Sequence, residues 1–131
     1  MRLTPPLITT SEVRYTPSGL RQLVLRSLQI PTIENLAVTL DHFDSFDLTS
    51  NSLTSLSNFP LLPRLSELLL SSNSITHLSP DLSSKLPSLS NLVLTGNGLK
   101  TLADLLPVLE CGEVRDLVLV NNPCVTRPHY R

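Results

Sequence analysis

One hydrophobic register recurs five times along the chain and constrains its fold more than any other feature. It begins as Leu20-x-x-Leu23-x-Leu25-x-x-Leu28-x-Ile30 and continues as Phe43-x-x-Phe46-x-Leu48-x-x-Asn51-x-Leu53. It returns as Leu65-x-x-Leu68-x-Leu70-x-x-Asn73-x-Ile75 and Leu89-x-x-Leu92-x-Leu94-x-x-Asn97-x-Leu99, and closes as Val114-x-x-Leu117-x-Leu119-x-x-Asn122-x-Cys124. Successive copies start 22 to 25 residues apart. A unit this short cannot bury its own apolar face, so the copies must stack and share one core.

This is the leucine-rich-repeat pattern, and it predicts an α/β solenoid of about five repeats. In each x-Leu-x-Leu-x segment the apolar residues have period two, which gives a short strand with its leucines turned inward. Stacked copies place the strands in a parallel β-sheet on the concave face, with short helices and turns on the convex side. Asn51, Asn73, Asn97 and Asn122 fall where the chain leaves each strand. Their amides offer both donors and an acceptor to backbone groups that would otherwise be orphaned, so they read as a structural asparagine ladder. Leu28 holds that place in the first copy. The expected organisation is an N-terminal capping segment over residues 1–19 and five repeats over 20–124. Residues 125–131 are expected to begin a C-terminal cap motif that is truncated at Arg131.

The returns carry their own signals. Thr4 is placed to cap a turn starting at Pro5, with Leu7 and Ile8 covering the first repeat and Pro17-Ser18-Gly19 closing the segment. Ser79-Pro80-Asp81 reads as an N-cap, a proline at the first helical position and an acid in the first turn, with Leu82 and Leu86 facing inward. A second helix is expected over residues 102–110, kept short by Pro107 and closed by Gly112. Pro60 and Pro63 predict a more extended second return.

Composition removes several functions. Charged residues are 16 % and the net charge is −1, which does not provide the basic face that nucleic-acid binding by phosphate neutralisation needs. Aromatics are 4 % and tryptophan is absent, so base-stacking platforms are not expected. No apolar run approaches the roughly 20 residues that cross a bilayer, and no secretory h-region opens the chain. Cys111 and Cys124 are neither CxxC-spaced nor a disulfide framework, Cys124 reading as a small core hydrophobe and Cys111 as a loop bystander. The expected protein is intracellular, reduced and soluble. His42, His77 and His129 are scattered, and no HExxH, Walker or GxSxG motif is present. The chain reads as no enzyme, with no metal, cofactor or small-molecule substrate. Arg2, Arg14, Arg21 and Arg26 stand against Glu12 in residues 1–26, a local +3. Of these, Arg2, Arg14 and Arg21 are candidates for RNA phosphate contacts, although a solvated face is the simpler account, isolated arginines being common on any surface. Arg127, His129 and Arg131 form a second small basic group.

The sheet's outward face carries the binding signal. Its central column is Val24, Asp47, Leu69, Val93 and Val118, apolar in four of five places. On a solvated sheet these positions should be polar. The flanking columns are Gln22, Ser45, Glu67, Asn91 and Asp116 on one side, and Arg26, Thr49, Ser71, Thr95 and Val120 on the other. An apolar stripe between polar rims suits an amphipathic helix, whereas β-propensity alone would also favour valine here.

Several segments are more specific than the repeat. Met1-Arg2-Leu3-Thr4 with Leu7-Ile8, Ile30-Pro31-Thr32-Ile33-Glu34-Asn35-Leu36, and Thr39-Leu40-Asp41-His42-Phe43-Asp44 resemble the U2 small nuclear ribonucleoprotein A-prime family. Phe59-Pro60-Leu61-Leu62, Arg64-Leu65, Asn122-Pro123, Thr126 and His129-Tyr130-Arg131 extend the resemblance over essentially the whole chain. Pro5 and Pro6, the abundance of serine and threonine in place of charged convex residues, and the ending at Arg131 depart from it.

The resemblance implies a nuclear, non-catalytic spliceosomal scaffold. Its partner would be the B-double-prime protein, whose RNA-recognition domain lays a helix in the concave face, and the pair would bind a stem-loop of U2 small nuclear RNA. On that reading Val24, Leu69, Val93 and Val118 form the contact core. Arg26, Asp47, Glu67, Asn91 and Asp116 supply rim polarity and register. The alternative is a leucine-rich-repeat adaptor outside splicing, associated for example with a motor or tubulin.

Overall fold

The computed structural model describes residues 2–109 and 111–123. The apolar pairs of the repeat build a six-stranded sheet. Strand β1 (Glu12–Tyr15) precedes β2 (Arg21–Val24), β3 (Ser45–Asp47), β5 (Glu67–Leu69), β7 (Asn91–Val93) and β8 (Asp116–Val118), adjacent in that order. From β2 onward all pairs are parallel and in register, so that Leu23, Phe46, Leu68, Leu92 and Leu117 lie side by side. Pairing continues past the strand ends through Leu25 N–H to Asp47 O at 2.8 Å, Leu48 N–H to Leu69 O at 2.8 Å and Leu70 N–H to Val93 O at 2.9 Å. Two short strands, β4 (Ser55–Leu56) and β6 (His77–Leu78), pair in parallel on the returning side.

Between the sheets lies a continuous core. Leu23, Leu25, Phe46, Leu48, Leu68, Leu70, Leu92 and Leu94 from the strands meet Ile30, Leu53, Leu56, Ile75, Leu78 and Leu99 from the returns, all buried. Burying each such side chain contributes on the order of 2 kcal/mol.

The asparagines stitch adjacent repeats. Asn73 donates to Leu48 O and Leu70 O, each at 3.0 Å, and accepts from Leu53 N–H at 3.1 Å. Asn97 does the same with Leu70 O, Leu94 O and Ile75 N–H, and Asn122 with Leu94 O, Leu119 O and Leu99 N–H. Asn51 accepts from both Leu28 N–H and Ile30 N–H. Leu28 therefore leaves no gap, because the second repeat's asparagine serves the first repeat's turn.

The N-terminal segment is more than a turn. Helix α1 (Pro5–Thr10) starts where expected, with Thr4 Oγ1 accepting from Leu7 N–H at 3.3 Å, and it buries Ile8. Leu3 is buried as well. The following strand β1 adds an antiparallel edge to the expected parallel sheet of the repeats, with Glu12 opposite Val24 and Arg14 opposite Gln22. The five residues 16–20 between them are too few for the crossover a parallel pair needs.

The returns also differ in detail. Helix α2 (Leu82–Lys85) begins after Asp81 rather than after Ser79, whose hydroxyl donates to Asp81 Oδ1 at 2.5 Å instead of capping the backbone. Leu82 and Leu86 are both buried. The second expected helix splits into a 3-10 turn (Leu102–Leu105) and α3 (Leu106–Leu109), opened by a capping box between Thr101 and Asp104. The second return is extended, as its prolines predict. Cys111 is a core residue rather than a loop bystander, 7 % exposed. Cys124, Arg127, His129 and Arg131 lie outside the described residues.

Candidate functional site

The outward sheet face presents the alternate residues of each strand. Val24, Leu69 and Val93 are half-buried, and Val118 is 37 % exposed. Each sits beside an inward-facing leucine, fully buried for Val24, Leu69 and Val93 and partly buried for Val118, so the strand alternation alone decides which side chains reach this surface. The result is an apolar column interrupted at β3.

The interruption is Asp47. Expected on the rim, it is instead buried, its side chain 2 % exposed beneath two guanidinium groups. Arg14 Nη2 lies 3.6 Å and Arg26 Nε 3.4 Å from Asp47 Oδ2, while Oδ1 accepts from Thr49 N–H at 3.2 Å. Both arginines remain about half exposed, so the aspartate presents itself to this surface through them.

Beside the column runs a connected polar row. Arg14 Nε donates to Gln22 Oε1 at 2.8 Å, Gln22 Nε2 to Ser45 Oγ at 3.0 Å, and Ser45 Oγ to Glu67 Oε1 at 2.7 Å. Asn91 Nδ2 then donates to Glu67 Oε2 at 2.9 Å. Gln22 and Ser45 are buried, at 1 % and 0 % exposure. Asp116, the next member, is exposed. Every donor from Arg14 to Ser45 points the same way, so each bond polarises the next.

Sequence reasoning missed Glu12 and Arg14 as members of this face. The signal was present: an alternating Glu12-Val13-Arg14-Tyr15 run, a Pro-Ser-Gly turn and a second alternating run is a hairpin pattern. Arg14, Tyr15 and the turn at residues 16–18 border, with Gln22, Glu67 and Leu69, a cavity of about 540 Å³.

The three arginines singled out for phosphate contact lie apart. Arg2 pairs with Glu34 at 3.0 Å on the first return, and this carboxylate raises its pKa above the usual arginine value. Arg14 is on the sheet face. Arg21 stacks on Phe43, its Cζ 4.9 Å from the ring centre, at the edge where strands begin. At that edge Asp44 accepts from Arg64 Nε at 2.8 Å and from Arg21 N–H at 3.0 Å. Those bonds hold its carboxyl below the ordinary 3.8, the Arg64 side chain contributing most, and Asp44 raises Arg64 in return.

A smaller groove of about 350 Å³ opens on the returning side between His77, Leu78, Pro80 and the Ala103–Pro107 region. It brings His77 near Asp104, which the sequence spacing did not suggest. The Asp104 carboxylate is already engaged, accepting from Lys100 N–H and Thr101 N–H. Among the described residues no three His, Cys, Asp or Glu side chains are grouped to hold a metal ion, and no helix is long and apolar enough to cross a membrane.

In-register strands, an asparagine ladder and a continuous leucine core define a leucine-rich-repeat protein, and a family profile described as leucine-rich repeat matches residues 1–131. The chain is 44 % identical over 131 residues to a probable U2 small nuclear ribonucleoprotein A' of Drosophila melanogaster, covering 49 % of that protein. It is 45 % identical to the U2 small nuclear ribonucleoprotein A' of Aspergillus fumigatus and 39 % identical to that of Homo sapiens, covering 51 % of each. A crystal structure of the Drosophila melanogaster SNF/U2A' complex superposes with a TM-score of 0.97 at 44 % identity, over all of this chain and 75 % of that one. The chain belongs to the U2 small nuclear ribonucleoprotein A' family, a splicing-related family of leucine-rich-repeat proteins. It spans about half the length of the curated relatives it matches.

Proposed function

We propose that this chain is a nuclear, non-catalytic scaffold of the U2 small nuclear ribonucleoprotein. Its concave face holds a helix from the RNA-recognition domain of the B-double-prime protein, and the pair binds a stem-loop of U2 small nuclear RNA during pre-mRNA splicing. The observation that carries this reading is the column of Val24, Leu69, Val93 and Val118, accessible between polar rows on a sheet whose other side is fully packed. Solvent-facing apolar residues in a row have a use when a partner covers them. The complex of a similar chain with SNF supports a protein partner for this one. RNA contact is assigned to the pair, because Arg2, Arg14 and Arg21 are dispersed over three surfaces of this chain.

Titration calorimetry against the RNA-recognition domain of the B-double-prime protein, without RNA, tests the reading. Micromolar or tighter binding is expected. Val93→Glu should leave folding nearly intact and weaken binding by about 2–4 kcal/mol, since it buries an unpaired charge at the contact. Leu92→Glu, one residue away and fully buried, should unfold the chain instead. A folded chain that does not bind removes the proposal.

A further inference from the structure

Glu67 is the acid on the sheet face whose surroundings leave a task unfilled. Both of its oxygens are fixed by neutral donors, Oε1 by Ser45 Oγ at 2.7 Å and Oε2 by Asn91 Nδ2 at 2.9 Å. These bonds orient the carboxylate without cancelling its charge. Among the described residues no Lys, Arg or His side chain lies within 4.0 Å of it. The nearest cation along the polar row, Arg14, is three hydrogen bonds removed, through Gln22 and Ser45, and shares its charge with Asp47.

The same carboxylate lines the 540 Å³ cavity between the face and the β1–β2 turn. Leu69 lies beside it in the apolar column, and Pro17 and Ser18 of the turn line the other side with Arg14, whose guanidinium is already paired with Asp47. A fixed anion beside an aliphatic wall suits a long basic side chain, whose stem packs on apolar surface while its head reaches the carboxylate.

We infer that Glu67 and the cavity under the β1–β2 turn form a socket for one lysine or arginine of the docked helix, fixing that helix's register along the face. The inference rests on the proposed concave docking. The apolar column supplies contact area but is nearly uniform from β5 to β8, so it permits a helix to slide. A single charge-to-charge contact at one end does not, because every other register leaves the Glu67 carboxylate covered and unpaired.

Isothermal titration of the SNF chain of the Drosophila complex against three forms of this protein, at two salt concentrations, provides the test. Glu67→Gln keeps the side chain's shape and an acceptor oxygen but removes the charge; about a tenfold loss of affinity and a weaker salt dependence are expected. Glu113→Gln removes one negative charge from the exposed turn before β8, away from the cavity, and should change affinity less than threefold. Thermal unfolding of each variant within a few degrees of the parent excludes a folding defect. Equal effects of the two substitutions, or unchanged affinity in Glu67→Gln, overturn the socket and leave the groove standing. Absence of binding by the unsubstituted chain removes groove and socket together.

Discussion

Arg14, on the antiparallel edge strand, reaches over β2 to place its Nη2 3.6 Å from Oδ2 of Asp47 on β3, an oxygen it shares with Arg26 Nε at 3.4 Å. Three strands are thereby tied by one buried carboxylate. Removing the acid leaves two cations facing one another over an uncharged group, a loss that partial exposure of both arginines tempers. Asp47→Asn should destabilise the fold by roughly 1–3 kcal/mol, measured by urea denaturation, with part of the loss recovered in added salt as the arginines are screened.

Asn73 satisfies three backbone groups belonging to two repeats: Leu48 O, Leu70 O and Leu53 N–H. Alanine supplies none of these bonds in a site water does not readily reach. Asn73→Ala should cost about 3–5 kcal/mol, and native-state hydrogen exchange should show the Leu53 amide losing protection ahead of the distant Ile8 region.

Ser50, Ser72, Gly96 and Asn121 each follow their strand with positive φ, at 60°, 59°, 72° and 62°. The turn out of every strand thus demands a left-handed residue, and only the fourth repeat uses glycine there. Ser50 and Ser72 are exposed, and their backbone amides bond to Ser71 O and Thr95 O whatever the side chain. Ser72→Gly relieves the left-handed strain at a smaller cost in unfolded-chain entropy. The melting temperature should rise by about 1–3 °C per substitution, read by circular dichroism, with Ser50→Gly behaving alike.

Asp44 titrates below its ordinary 3.8 because Arg64, and then the Arg21 amide, favour the charged form. A depressed carboxyl contributes stability that is complete above the unfolded value and lost as pH falls through the folded one. Stability should therefore decline from about pH 4 downward. Asp44→Asn should be less stable than the parent at pH 7 and flatter below pH 4, so that the two denaturation midpoints converge in acid. Parallel curves would show that Asp44 carries none of the acid sensitivity.

Much of this fold is legible in the residues themselves. The leucine spacing identifies both strands and the inward face, since a two-residue period leaves one assignment of sides, and the position of Asn51, Asn73, Asn97 and Asn122 marks each exit from the sheet. Thr4 before Pro5 announces the first helix. The Ser79-Pro80-Asp81 signal misleads by two residues because Ser79 bonds to Asp81 rather than to the backbone. The hairpin strand β1 escaped notice because its polar-apolar alternation is only four residues long and lies outside the repeat.

For the candidate site, the column Val24, Leu69, Val93 and Val118 follows directly from alternation. The fate of Asp47 does not. Its burial depends on Arg14, 33 residues earlier in the numbering, arriving over it from a strand that pairs with β2 and not with β3.

What the sequence by itself determined is periodic: the repeat unit, the strand faces, the asparagine turns and the apolar column, all set by short-range geometry that each unit repeats. What only the tertiary structure decided is lateral. The row from Gln22 through Ser45 to Glu67 and the shared carboxylate of Asp47 join side chains about one repeat apart or more. Their hydrogen bonds exist only after stacking has fixed the spacing between strands at about 4.8 Å, because unstacked chain would leave these polar groups to water.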